Sequence, residues 1–339
     1  MRISEFGGEQ AIIDLIASKF SGGGNSDLLV GIGDDAALIR VGDRRLLIVT
    51  TDLLIEGTHF RRDIMDPYSL GWKSIAVNIS DIAAMAGSPT YTFTSIALDD
   101  VDASFVEMLY SGMRDCADAY GSLIVGGDTN VSLDRQAINV TQLGEVSAER
   151  VTLRSTAQAG DRLLVTGTLG DSRAGLEMLM KDGLAESTRL NPWVVEAHLK
   201  PKPRVTEAQA ASGTAFVHAM MDISDGLAAD LPKLCSASGV GATVQLDHIP
   251  TSDALRTAAA HLQMDPTRLA TQGGEDYELL MAVAPNEVEK VREAVIAATG
   301  VSITEIGVIT DGREVLAENP DGSSLPLRGG WEHFRQADR

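Results

Sequence analysis

Five short acid-bearing segments recur along the chain: Gly33-Asp34-Asp35, Thr50-Thr51-Asp52, Asn78-Ile79-Ser80-Asp81, Gly126-Gly127-Asp128-Thr129 and Asp222-Ile223-Ser224-Asp225-Gly226. Almost no lysine or arginine stands beside them in sequence. Carboxylates gathered in this way repel one another unless something cationic holds them. Hard divalent cations such as Mg2+ take oxygen ligands, keep several waters and bridge carboxylates to phosphate oxygens. The pattern therefore points to a Mg2+ platform in a phosphate-handling enzyme. Gly273-Gly274-Glu275-Asp276-Tyr277-Glu278 has the same character, paired glycines and then acids ahead of an apolar run.

Each segment taken singly has a plainer explanation. Gly31-Ile32-Gly33-Asp34-Asp35-Ala36 matches the dinucleotide fingerprint, but that turn must open a helix, and here a Gly42-Asp43 turn leads to a strand near Leu46. Two aspartates there would also repel a pyrophosphate. Gly167 to Ser172 lacks the lysine of a P-loop and reads as a strand-to-helix turn capped by Asp171 or Ser172. Ser224 or Asp225 would serve as an N-cap, yet a cap needs one side chain, and two aspartates plus a glycine exceed that need. His59 follows one acidic strand, and Trp331 is either a terminal core anchor or a ring that stacks on an aromatic substrate.

The elements that must position these acids follow from periodicity. Apolar residues at helical spacing predict helices over Glu9 to Phe20, Ser69 to Ala86, Ala103 to Tyr120, Ser172 to Met180, Ala228 to Leu234 and Glu287 to Ala298. Short apolar runs bounded by Gly or Asp predict strands at Leu28 to Ile32, Leu46 to Thr51, Tyr91 to Leu98, Leu123 to Val125 and Gln136 to Glu145. In the second half, strands are expected at Arg162 to Thr166, around Val244 and Leu246, at Glu278 to Val283 and at Ile303 to Ile309. Asp81 would project from a largely buried helix, and the first two strands end in carboxylates.

With 339 residues, two domains are expected, divided near residue 147 into 1–146 and 147–339. The alternation of strands and helices suggests a layered α/β or α+β architecture. A net charge of -20 argues against nucleic acid as a partner, because phosphate backbones are bound by lysine and arginine. The N-terminal residues do not read as a signal peptide and no apolar run reaches the ~18 residues of a membrane span, so a cytoplasmic protein is expected. Cys116 and Cys235 have no partner at metal or redox spacing and are expected to be buried bystanders.

Taken in order, the segments Glu5-Phe6-Gly7, Gly31 to Ala37, Thr50 to Asp52, Glu56 to Phe60, Lys73 to Gly87, Gly126 to Thr129, Asp222 to Leu227 and Gly273 to Leu279 resemble the thiamine-monophosphate kinases. These belong to the superfamily that includes aminoimidazole ribonucleotide synthetase. Gly8 departs from the apolar residue more usual after Glu-Phe-Gly. The resemblance implies a two-domain aminoimidazole ribonucleotide synthetase-like fold whose N-terminal strands pair across a homodimer. It implies ATP and thiamine monophosphate as substrates and thiamine diphosphate as product, the last step of that cofactor's synthesis. By position, Asp35, Thr50, Thr51, Asp52, Asp81, Asp128, Asp222 and Asp225 resemble Mg2+ ligands for several ions. Gly127, Asp128, Arg154, Ser224 and Tyr110 resemble ATP contacts, and His59, Glu275 and Trp331 resemble contacts to thiamine monophosphate. No protein nucleophile or general base is implied, since the acceptor is already an ionised phosphate.

Two alternatives stand beside this reading. A sister enzyme of the superfamily would share the acids, but selenophosphate synthetase carries an N-terminal cysteine or selenocysteine followed by lysine, and the hydrogenase-maturation dehydratase ends in cysteine. Neither feature is expected from this sequence. A Mg-nucleotide-binding protein without turnover is the other alternative.

Overall fold

The computed structural model describes residues 8–20 and 26–333, so Glu5-Phe6-Gly7 lies outside the described residues. The chain opens with α1 (Gly8–Phe20), β1 (Leu28–Val30), β2 (Ala37–Arg40) and β3 (Arg45–Ile55). Then come α2 (Pro67–Ala84), β4 (Ser88–Leu98), α3 (Ala103–Ala119), β5 (Leu123–Val131) and β6 (Ala137–Ser147). These strands form one sheet in the order β1-β2-β3-β6-β4-β5, antiparallel throughout except for the parallel pair β4 and β5.

The second half runs β7 (Arg162–Thr166), α4 (Asp171–Leu190), α5 (Pro192–Leu199), α6 (Val205–Gly213), β8 (Val217–Asp222), α7 (Leu227–Ser238) and β9 (Gly241–Gln245). It continues with α8 (Asp253–Leu262), α9 (Pro266–Gln272), β10 (Leu279–Val283), α10 (Val288–Thr299), β11 (Ile303–Thr310), β12 (Val315–Glu318) and β13 (Ser324–Pro326). Its sheet has the order β13-β12-β9-β11-β7-β10-β8, with only β12 and β9 parallel.

The helix that matters most is α2. Pro67 suits its first turn and the Asp66 carboxylate accepts from Ser69 N at 3.0 Å, which fixes where it begins. Its apolar residues Ile75, Ile79 and Ile82 are fully buried, and it packs on β3, β4 and β6 of the first sheet and on β8 of the second. One core cluster therefore joins both halves, with Ile79 and Ile138 in contact with a set that includes Met220 and Met281. The crossing of α2 and α3 is close enough to demand glycine. A Cβ on Gly71 would stand 1.9 Å from Leu109 O, and one on Gly112 would stand 1.9 Å from Tyr68 O.

Two strands of the first sheet differ from the sequence expectation, and in the second half that expectation does not include β8, β12, β13, α5, α6, α8 and α9. β2 forms where only a turn was expected, because Ala37 to Arg40 pairs with the long first half of β3. β5 does not stop at Val125 but runs through Gly126-Gly127-Asp128 to Val131 beside β4. Gly127 allows this, since a Cβ there would lie 1.7 Å from Thr94 O.

Candidate active site

Strand alternation in β3 sends Leu46, Ile48, Thr50 and Leu54 inward, so Thr50 and Asp52 share the face that meets α2. Asp81 on α2 accepts a short hydrogen bond from Thr50 Oγ1. Asp222 ends β8 and accepts from Ser80 Oγ at 2.5 Å, one residue before Asp81. Asp35 arrives from the loop between β1 and β2. Oxygens of Asp35, Asp81 and Asp222 all lie within 4.8 Å of one another, and among the described residues Asp35 Oδ2 is buried without a hydrogen-bond partner.

The electrostatics of this cluster favour a bound positive charge. Burial pushes Asp52 and Asp222 up to about 6, with Asp225 adding to the first and Asp52 to the second. Asp35 and Asp81 are raised well above the usual carboxylate range by burial, and neighbouring aspartates add to that. The unpartnered oxygen and the all-oxygen donor set fit a hard divalent cation.

Two cations reach the acids, Arg154, which the resemblance gave as an ATP contact, and Lys233, which the sequence reading did not single out. Arg154 clamps the first acidic loop: its guanidinium donates to Asp35, and its backbone N–H donates to Asp34 at 3.2 Å. Lys233 on α7 donates to Asp225 at 2.6 Å and to Asp230 at 2.8 Å. Asp230 in turn accepts from the backbone N–H groups of Ser224 and Asp225 at 3.0 and 2.9 Å, which shapes the turn that presents both. The acids Asp35, Asp52, Asp81, Asp222 and Asp225 still outnumber these two cations.

A cavity of about 560 Å³ opens from the cluster. Asp52, Asp81, Asp222, Ser224 and Asp225 line one end, with His59, Glu275 and Trp331 on its walls. Phe60, Ile64, Met65, Val77 and Leu176 give it an apolar flank. His59 Nδ1 accepts from Ile55 N at 3.0 Å, which leaves the ring proton on Nε2; burial holds its pKa below the usual histidine value. Trp331 is held at the rim because its backbone N–H donates to Asp225 O at 2.8 Å, and its ring meets His333 edge-on at 5.8 Å.

Not every residue singled out from sequence gathers there. Alternation turns the Thr51 side chain to the opposite face of β3, where Asn139 Nδ2 donates to it at 3.1 Å. Register aligns Asp128 with Ser95, Asn139 and Leu53, three strands away from β3 and so roughly 14 Å from it. Gly127 and Asp128 are exposed on that edge strand, and Tyr110 lies beside them, its hydroxyl 3.3 Å from Thr94, the residue aligned with Gly127.

Of the three acids in the Gly273 to Glu278 segment, only Glu275 lines the cavity, with Gly274 and Tyr277 beside it. Asp276 accepts from Gly170 N at 2.7 Å and Ser172 N at 3.3 Å, capping α4 in place of the expected Asp171 or Ser172. Glu278 is paired with Arg204. Lys73 is the residue that sequence reasoning passed over: fully buried on α2, it sits 2.6 Å from Glu275. A lysine eight positions before Asp81, the only other charged residue of this buried helix, was the available signal.

Comparisons with known proteins agree on one family. Residues 33–146 match the AIR synthase related protein N-terminal domain, and residues 158–317 match its C-terminal domain. The thiamine-monophosphate kinase of Escherichia coli K12 is 36% identical over 310 residues, 91% of this chain and 93% of that protein. The thiamine-monophosphate kinase of Aquifex aeolicus is 35% identical over 338 residues, 98% of this chain and 100% of that protein. A solved structure described as AaThiL complexed with AMPPCP and TMP superposes with a TM-score of 0.84 at 34% identity, covering 98% of this chain and 99% of that one.

Proposed function

Since the chain belongs to the thiamine-monophosphate kinase family, on the two-domain AIR synthase related fold, we propose that it transfers the γ-phosphoryl group of ATP to thiamine monophosphate, giving ADP and thiamine diphosphate. The observation that carries the chemistry is the triad Asp35, Asp81 and Asp222, three carboxylates within 4.8 Å beside a cavity with an apolar flank.

Asp35, Asp52, Asp81, Asp222 and Asp225, with the Thr50 hydroxyl, would hold Mg2+. When bound, such ions neutralise charge on two polyanions and on the transferring group. The rest falls to the chain's own residues. Arg154 keeps Asp34 and Asp35 in place, and Asp230 with Lys233 fixes the Ser224-Asp225 turn against which ATP would lie. His59, Glu275 and Trp331 orient the thiamine end, while Phe60, Ile64 and Met65 exclude water from it. A terminal oxygen of the acceptor phosphate attacks γ-phosphorus, the bond to the ADP oxygen breaks, and no side chain must take a proton because the acceptor is already ionised. Positioning and charge neutralisation carry the rate.

Tyr110, Gly127 and Asp128 would serve this reaction across a homodimer. The sheet face opposite α2 leaves Leu53 at 48%, Tyr91 at 49%, Phe93 at 41% and Leu123 at 58% exposure, an apolar surface of the kind that marks an interface. Pairing two such faces would bring the exposed Asp128 of one protomer toward the partner's acids, which it does not reach within its own chain. No described helix is long and apolar enough to cross a membrane, in keeping with a cytoplasmic enzyme.

ADP release measured with thiamine monophosphate, thiamine and an aminoimidazole ribonucleotide precursor tests the reading. Turnover with thiamine monophosphate alone supports it, and turnover only with the aminoimidazole precursor replaces it with the sister activity.

A further inference from the structure

A lysine without a role in phosphoryl transfer is fully buried beneath the cavity. Lys73 Nζ forms an ion pair with Glu275 Oε1 at 2.6 Å and, among the described residues, has no hydrogen-bond partner of good geometry. On the far side of the same carboxylate, His198 Nδ1 is 3.4 Å from Glu275 Oε2 and 3.2 Å from Ser172 Oγ. Burying an ammonium group is expensive unless it is paired, so a lysine here needs a reason. An apolar residue of similar size would fill the space at no electrostatic penalty.

Glu275 is itself constrained. Its backbone has φ +67, a left-handed conformation for a residue that is not glycine, and its N–H donates to Ser224 O at 2.7 Å. Strain of this kind persists where the surroundings fix a side chain for a purpose. The carboxylate is held from behind by Lys73 and flanked by His198, which lines the cavity with it.

The position of Lys73 on α2 adds a metric. Lys73, Val77 and Asp81 are four residues apart, so they share one face of the helix, and all but Lys73 line the cavity directly. Eight residues at about 1.5 Å each set the lysine that grips Glu275 roughly 12 Å from the acid of the metal cluster. A single rigid, capped helix therefore spaces the two ends of the site.

We infer that Lys73 is a positioning residue for substrate selection, holding Glu275 as a fixed carboxylate that recognises the amino-bearing pyrimidine end of the substrate while α2 sets its distance from the phosphoryl-transfer end. This rests on the thiamine monophosphate reading above. His198 completes the grip as a neutral ring.

The test compares Lys73→Met, Glu275→Gln and Lys73→Met/Glu275→Gln by KM for thiamine monophosphate, KM for ATP and melting temperature. Lys73→Met is expected to melt lower and to raise KM for thiamine monophosphate about tenfold or more, the scale of a lost charge-assisted contact, with KM for ATP nearly unchanged. The double variant leaves no buried charge unpaired, so its melting temperature recovers, yet its KM for thiamine monophosphate stays at the value of Glu275→Gln alone. Should Lys73→Met fail to fold, that equality still decides the matter. An unchanged KM in Lys73→Met, matched losses for both substrates, or additive effects in the double variant would overturn the inference. Wild-type turnover of thiamine monophosphate, measured alongside, shows whether the parent reading stands irrespective of the variants.

Discussion

Replacing Asp81 by asparagine should make the metal-free protein more stable and the enzyme inactive. The side chains are nearly isosteric, and Asn Oδ1 can still accept from the Thr50 hydroxyl, so the local geometry survives. What changes is charge. Two unit charges 4.8 Å apart repel by roughly 3.5 kcal/mol at an effective dielectric of about 20. Asp81 faces two such neighbours, Asp35 and Asp222, and Asp52 as well, so with every group ionised the repulsion removed would be on the order of 7 kcal/mol or more. The folded protein escapes part of this by retaining protons, as the raised pKa values of the cluster show. The expected gain at neutral pH in chelator is therefore about 1–3 kcal/mol, a rise of a few degrees in melting temperature. In Mg2+ the order reverses, because the wild type gains more from the ion than the variant does. Turnover should fall at least on the order of 10²–10³-fold, the scale for removing one preorganised electrostatic element. Thermal melts with and without Mg2+, together with coupled ADP release, read all of this. A Asp81→Asn protein that melts lower than wild type in chelator and keeps Mg2+-dependent turnover would refute the reasoning.

Three further outcomes are expected. Asp52 and Asp222 have folded pKa values near 6, above the 3.8 of a free carboxyl, so each binds its proton more tightly when folded. Stability in chelator should then drop as pH rises from about 3.8 to about 6 and level off above that, by up to ~3 kcal/mol per group, and melts from about pH 4 to 7 should lose this slope once Mg2+ is present. Trp331→Ala should raise KM for thiamine monophosphate by the equivalent of roughly 1–3 kcal/mol while sparing KM for ATP and, since the ring is 47% exposed, changing the melting temperature little. A large melting shift with matched losses would instead make it a core anchor. Mixing inactive Asp128→Ala with inactive Asp222→Ala protein should restore about a quarter of wild-type activity, because half of the dimers are mixed and each contains one intact site. No recovery after subunit exchange would confine Asp128 to its own chain.

Much of the site could be read from sequence because acids next to glycine at the ends of strands are local features. Asp35, Asp52, Asp81 and Asp222 converge because β3, α2 and β8 pack together, and the helical stripe of α2 already indicated that Asp81 was embedded. The two-residue period of β3 also separates Thr51 from Thr50 and Asp52, a consequence that the sequence contains but that reading them as one motif obscures. What sequence does not carry is the pairing of charges between distant elements. Arg154 joins Asp35 over more than a hundred residues, and Lys73 joins Glu275 over two hundred. Asp276 looks like a ligand beside Glu275 but caps α4, because only packing brings Gly170 and Ser172 to it. Gly126-Gly127 looks like the end of a strand, whereas the missing side chain at Gly127 is what lets β5 continue past Thr94.

The central claim is direct transfer between two bound phosphates on a carboxylate-held platform, with no phosphorylated side chain on the way. Running the reaction with ATP made chiral at the γ-phosphorus by isotopic labelling tests it most directly. A single in-line displacement predicts inversion of configuration in the β-phosphoryl group of the thiamine diphosphate formed, and retention would contradict it by requiring a covalent enzyme intermediate.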